Sequence, residues 1–356
     1  MKLALPLLAA IVALAIGAAG FFLRSEPASP LEPEAWRGFA DRFVAPDGRV
    51  VDVDNGGRTH TEGQGYGLLL AEAAGQREDF ARIWSWTETH LRRPDGLFSW
   101  SYGPCPSADG DCVLDRNNAS DADILIAWAL LRAGTHWKNP SYLAAARTIT
   151  ESVAQKLVIE RNGLTLLLPG AEGFLHQDRV VVNLSYWLFP AFAEFEQAFP
   201  SPVWKNLSLS GFEITRAARF GAENLPSDWV EIRDSGAIAP AVGFPPRFGF
   251  DAVRVPLNLA WSANLDTDLL KPFATYWSRA SGGGVPAAWV DVETGEKAPY
   301  AWQVGMQCVS QLATGRVDRR RLSPTDLPPV AAGDGYYSTS VTLLCHLAAS
   351  EVGAKS

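Results

Sequence analysis

Ala119-Ser120-Asp121-Ala122-Asp123-Ile124-Leu125-Ile126-Ala127-Trp128-Ala129-Leu130-Leu131-Arg132-Ala133 decides the fold. Its apolar residues recur at helical spacing, which predicts a helix over 120–137 with Asp121 and Asp123 in the first turn. One acid there is ordinary, because it meets free N–H groups and the positive end of the helix dipole. Ser120 followed by Asp123, and Thr59 followed by Glu62, have the spacing of a capping box. Repetition along the chain is less ordinary. Helical spacing predicts further helices at 35–45, 61–75, 77–93, 140–157, 184–199, 203–223, 251–264, 267–280, 299–315 and 335–351, with a short turn around 318–323 as a twelfth element. Strand signals are few, mainly Leu164–Leu168 and Val180–Val182.

The even-numbered helices begin with polar residues. Glu62 opens the second, Asp121 and Asp123 the fourth, and Asn183 and Tyr186 lie near the start of the sixth. Asp251 opens the eighth, and Tyr336 and Tyr337 open the last. No sequence period supports a solenoid. In a toroid of alternating outer and inner helices, the inner ones run parallel and bring their amino ends to one mouth. The expected fold is therefore all-α, an (α/α)6 barrel of about six helical hairpins, with its cleft at the amino ends of the inner helices.

The 356 residues, 47% hydrophobic and 20% charged, supply ample core for one large domain, expected at 35–352. A net charge of -8 argues against a nucleic-acid partner, which needs clustered Lys and Arg; the densest basic run, Arg319 to Arg321, reads as a solvated turn. Lys2 followed by an uncharged run from Leu3 to Leu23 predicts an export signal at 1–23, although the run is also long enough to be a membrane anchor. Either way the protein acts outside the cytoplasm, periplasmic or secreted. A Pro-rich spacer follows at 24–34. Four cysteines fit that compartment and are expected as disulfides, the local pair first, although three pairings are open: Cys105 and Cys112 bracket a short loop, and Cys308 and Cys345 lie on two late helices that could pack together. A zinc site is disfavoured, since Cys-x-x-Cys pairs are missing and no histidines supply tetrahedral spacing with the cysteines.

Thr59-His60-Thr61-Glu62-Gly63-Gln64-Gly65-Tyr66-Gly67 places three glycines beside the acid, each costing a helix roughly 1 kcal/mol relative to Ala. Their missing side chains admit either a bulky ligand or a neighbouring helix. This segment, the 119–133 stretch with Trp137, Leu167-Leu168-Pro169-Gly170, Asn183-Leu184-Ser185-Tyr186 and Phe250-Asp251-Ala252-Val253-Arg254 occur in the order found in glycoside hydrolase family 8, which the chain resembles from about Trp36 to its last helix. Within the family it is most similar to the cellulases encoded beside bacterial cellulose synthases. Leu184, where relatives often have Pro, and the Cys105–Cys112 loop are departures.

The resemblance implies an (α/α)6 barrel and an inverting, endo-acting hydrolase with no metal or other cofactor. It casts Glu62 as general acid and Asp251 as general base. Asp121 would bind the distorted sugar, Tyr186 would hold the attacking water, and Arg254 would support the base. The chemistry requires such a pair, with carboxyls roughly 6.5–9.5 Å apart to leave room for water. Among 13 Trp, Trp100 is the first candidate for a sugar platform, with core packing as its alternative, and Tyr336 stands in the same position. The expected partner is a β-1,4-glucan, with a cellulose synthesis or export complex as a further candidate. The alternatives are xylan, mixed-linkage glucan or chitosan as substrate, or a non-catalytic glycan-binding accessory. Gly-x-Ser-x-Gly and His-Glu-x-x-His are absent.

Overall fold

The computed structural model describes residues 29–105, 112–263 and 265–355. The expected export segment 1–23 lies outside the described residues, as do residues 24–28 of the Pro-rich stretch. Eleven α-helices occur among the described residues: α1 (Pro33–Phe43), α2 (Thr61–Ala73), α3 (Arg77–Leu91), α4 (Ser120–His136), α5 (Pro140–Lys156), α6 (Phe189–Ala198), α7 (Pro202–Ala217), α8 (Arg254–Trp261), α9 (Lys271–Gly282), α10 (Val304–Val317) and α11 (Tyr336–Lys355).

Burial sorts them into two layers. α5 hides Ala146, Ile149, Thr150 and Val153, and α7 hides Trp204, Leu207, Gly211 and Ile214, the single stripe of a helix with one wet face. α2, by contrast, is buried at every position from Gly63 to Ala73, and α8 along its whole length. The inner helices close a ring: α2 packs on α4, α4 on α6, α6 on α8, α8 on α10, α10 on α11 and α11 on α2. Outside it, α1 packs on α2 and α11, α3 on α2, α5 on α4, α7 on α6 and α9 on α10. The sixth outer place is taken by a 3-10 turn, Pro324–Asp326, against α11. This is the (α/α)6 barrel.

Several helices are shorter than their sequence patterns, α7 and α10 among them, and two of the differences bear on the site. In 184–199, Asn183 caps a 3-10 turn at Leu184–Tyr186, and α6 starts only at Phe189, with Pro190 in its first turn. In 251–264, α8 starts at Arg254, which leaves Asp251 in the preceding turn. Short strands occupy the links from each outer helix to the next inner one. β1 (Thr59–His60), β2 (Ser101–Tyr102) and β3 (Val113–Asp115) form one antiparallel sheet, and β4 (Val158–Arg161) pairs with β5 (Leu164–Leu167). β6 (Arg179–Val182), β7 (Val230–Arg233) and β8 (Ile238–Pro240) form another, and β9 (Arg247–Phe248) pairs with β10 (Val290–Asp291). They rim the mouth at the amino ends of the inner helices. At the opposite end, Leu31 is buried and its N–H donates to Ala73 O at the close of α2.

Cys105 and Cys112 are disulfide-bonded. The expected Cys308–Cys345 bond is corrected: α10 and α11 do bring the two together, but as free, fully buried thiols. Burial pushes the Cys308 thiol up, and hydrogen bonds with Cys345 and His346 draw it down to about 7. Shut inside the core, neither sulfur meets the incoming thiol or oxidant that bond formation requires. No helix among the described residues is long and apolar enough to cross a membrane.

Candidate active site

Neither expected capping box forms. The N-cap of α2 is His60, without a side-chain bond, and Thr59 Oγ1 instead donates to Val50 O at 2.7 Å. The N-cap of α4 is Ala119, again without one. Asp123 turns outward to accept Phe98 N–H at 3.0 Å and Asn118 Nδ2 at 2.7 Å. The acids at these helix starts are therefore free for other partners.

Those partners meet at Arg254, buried in the first turn of α8. Its Nη1 donates to Glu62 Oε1, to Tyr66 Oη at 2.9 Å and to Asp121 Oδ2 at 3.4 Å. Its Nη2 donates to Asp251 Oδ1 at 2.5 Å. Tyr66, one turn after Glu62, donates to Glu62 Oε1 at 2.9 Å. One guanidinium thus holds carboxyls from three inner-helix starts, with Glu62 and Asp251 on different nitrogens. The side chains of Glu62 and Asp251 stay 27% and 30% exposed, whereas Asp121 is only 2% exposed. Two acids face the cleft and the third is its floor.

The glycines near Glu62 serve packing. A Cβ on Gly63 would meet the Tyr336 hydroxyl, one on Gly65 would stand 2.7 Å from Leu125 Cβ of α4, and one on Gly67 2.8 Å from Val50. Close approach of α4 and α11 to α2 is what they permit.

Burial and then the charge of Glu62 push the Asp121 carboxyl well above its ordinary range. Burial also raises Glu62, but Arg254 and hydrogen bonds from Asp121 and Tyr66 outweigh it and hold Glu62 below its usual value. Asp121 therefore carries the proton of this pair and donates it toward Glu62. Asp251 is raised by burial, against the opposing pull of Arg254. Tyr186 is raised by burial and by the charges of Asp121 and Asp251. Asn183 spends Oδ1 on Ser185 N (3.1 Å) and Oγ (2.7 Å), so its amide nitrogen is left for Asp251.

Trp100 is half-buried with one face stacked on His60, centroids 5.5 Å apart at 11°. Tyr336 is 6% exposed and packs edge-on against Phe43, so its ring lies in the wall behind Glu62 and presents no open face. Tyr66 and Asp228 escaped the sequence. Tyr66 had a signal, the i+4 spacing from Glu62. Asp228 had none, because its partners Gly249 and Ala252 are reached only through the fold. Among the described residues no group of three or more His, Cys, Asp or Glu side chains could hold a metal ion.

The model of the glycosyl hydrolases family 8 matches residues 8–351. The chain belongs to glycosyl hydrolase family 8. This family 8 protein is 38% identical over 331 residues to a probable endoglucanase of Novacetimonas hansenii, covering 92% of this chain and 93% of that one. It is 39% identical to an endoglucanase of Cellulomonas uda, covering 81% and 80%. Among solved structures, the endo-β-1,4-glucanase CMCax of Acetobacter xylinum superposes with a TM-score of 0.83 at 35% identity, covering 92% of this chain and 99% of that one.

Proposed function

We infer that this chain is an endo-acting β-1,4-glucanase that cleaves with inversion, Glu62 acting as acid and Asp251 as base. One observation carries the assignment: of the carboxyls gathered by Arg254, only these two open into the cleft, from different sides of the guanidinium. Inverting hydrolysis needs a proton for the leaving oxygen on one face of the sugar and a base for water on the other. Asp251, tied to Arg254, is the ionised member. Tyr186 and the Asn183 amide flank it and hold the attacking water.

Glu62 starts from the wrong protonation state for an acid, since its pair keeps the proton on Asp121. Substrate corrects this. Substrate that covers Glu62 strips water from its carboxylate, and the shared proton passes from Asp121, whose anion Arg254 stabilises, to Glu62, next to the leaving oxygen. Protonated Glu62 draws less on Arg254, which then pairs with the Asp121 and Asp251 carboxylates. The Trp100 edge offers an apolar surface to a neighbouring ring.

The compartment we propose is periplasmic or extracellular, supported by the Cys105–Cys112 disulfide and the apolar run Leu3–Leu23. An apolar start followed by a Pro-rich stretch would keep the barrel near a membrane, which suits trimming of glucan beside a cellulose synthesis complex. The decisive experiment is release of reducing ends from carboxymethyl-cellulose by wild type, Glu62→Gln and Asp251→Asn, with folding checked by circular dichroism. Each substitution is expected to lower turnover at least about 10²–10⁴-fold, the usual contribution of one proton-transfer group. Activity that survives both in folded protein would overturn the assignment.

A further inference from the structure

The base sits in a turn, Gly249-Phe250-Asp251-Ala252, that no regular element fixes: β9 ends at Phe248 and α8 begins at Arg254. Such a turn would ordinarily leave the N–H groups ahead of α8 free. Two of them are taken by a single atom. Asp228 Oδ1 accepts Gly249 N–H at 3.0 Å and Ala252 N–H at 2.7 Å, bracketing Asp251 from both ends of the turn. The clamp is itself anchored, since Asp228 N–H donates to Arg247 O at 2.6 Å and β7 follows two residues later. Gly249 makes room for it, because a Cβ there would stand 2.8 Å from Asp228 Oδ2.

We propose that Asp228 is a positioning residue for the base, holding the Asp251 carboxyl at the distance and angle from which it can take a proton from water. This rests on Asp251 being the base. Arg254 fixes one end of that carboxyl by a hydrogen bond to Oδ1, and the Asp228 clamp fixes the backbone that carries it. Neither contact reaches substrate, so loss of the clamp affects turnover and leaves glucan binding in place.

The test compares Asp228→Ala, Asp228→Asn and Gly249→Ala with wild type and Asp251→Asn, measuring kcat and KM on a soluble cello-oligosaccharide and melting temperature for each. Asp228→Ala is expected to lower kcat about 10- to 100-fold, the cost of misplacing a reacting group by about 1 Å, with KM changed less than about twofold. Asp228→Asn keeps an oxygen that can accept both N–H groups and is expected to recover most of that loss. Gly249→Ala retains Asp228 but displaces its carboxyl, and should reproduce the kcat defect even if Asp228→Ala fails to fold. An unchanged kcat in both Asp228→Ala and Gly249→Ala overturns the proposal, as does an equal defect in Asp228→Ala and Asp228→Asn. If Asp251→Asn itself remains active, the assignment of the base has failed instead.

Discussion

Arg254 decides what the neighbouring acids do. As a fixed cation among three carboxyls it opposes the burial that raises Asp251, and it helps to hold Glu62 below its usual value while Asp121 is pushed up. The pH profile follows with a definite sign. Asp251 acts deprotonated and is raised by burial, so kcat/KM on a neutral cello-oligosaccharide should climb with pH on a limb above about 3.9, the ordinary Asp value. An acid limb at or below that value would mean that Asp251 is not the group reported. Asp123, two residues from Asp121, has the opposite fate. Burial pushes its carboxyl up to about 7, and it holds Phe98 N–H and Asn118. Asp123→Ala should therefore cost about 3 kcal/mol of stability in denaturant unfolding, as the loss of hydrogen bonds to a buried carboxyl, while the folded fraction keeps its turnover. Both acids were visible in the first turn of one predicted helix, but only the third dimension separates them: Asp121 faces Arg254 and Asp123 faces a loop 25 residues upstream. Asp228 was illegible for the same reason, with partners 21 and 24 residues away and no motif around it.

At the scale of elements, the α2–α4 contact shows how tightly the inner ring is drawn. Gly65 weakens α2 by roughly 1 kcal/mol relative to Ala, yet a Cβ there would lie 2.7 Å from Leu125 Cβ. Overpacking costs about 1–3 kcal/mol, which exceeds the gain in propensity, so Gly65→Ala should lower the melting temperature by a few degrees. A higher melting temperature would mean that α4 gives way at no cost. Most helices were readable from spacing alone, because outer helices carry one apolar stripe and inner ones long apolar runs. Two of the misreadings fall where local chemistry interrupts the pattern: the Asn183 cap and Pro190 split 184–199, and the turn held by Asp228 delays α8 to Arg254. Cys308 and Cys345 were rightly placed on packed helices but wrongly joined, since spacing cannot reveal that both sulfurs are sealed from solvent.

Across the whole molecule, α11 meets α2, so the ring closes between the two ends of the chain and no inner helix is complete without both neighbours. Unfolding should accordingly be cooperative: tryptophan fluorescence and far-ultraviolet circular dichroism are expected to give coincident denaturation curves. Separated curves would show that part of the ring opens alone. The acidic balance, the alternation of layers and the closed toroid were legible in sequence, whereas the particular contacts that close it were not, because they join residues some 270 positions apart, such as Gly63 and Tyr336. Leu31 is pinned to the end of α2, and α11 finishes at Lys355, the carboxyl end of the adjacent inner helix. Both ends of the barrel's chain thus leave from its underside. A carbohydrate-binding module or surface linker spliced to either one would hang on the far side from the mouth, leaving a long polymer free to lie across the cleft from end to end.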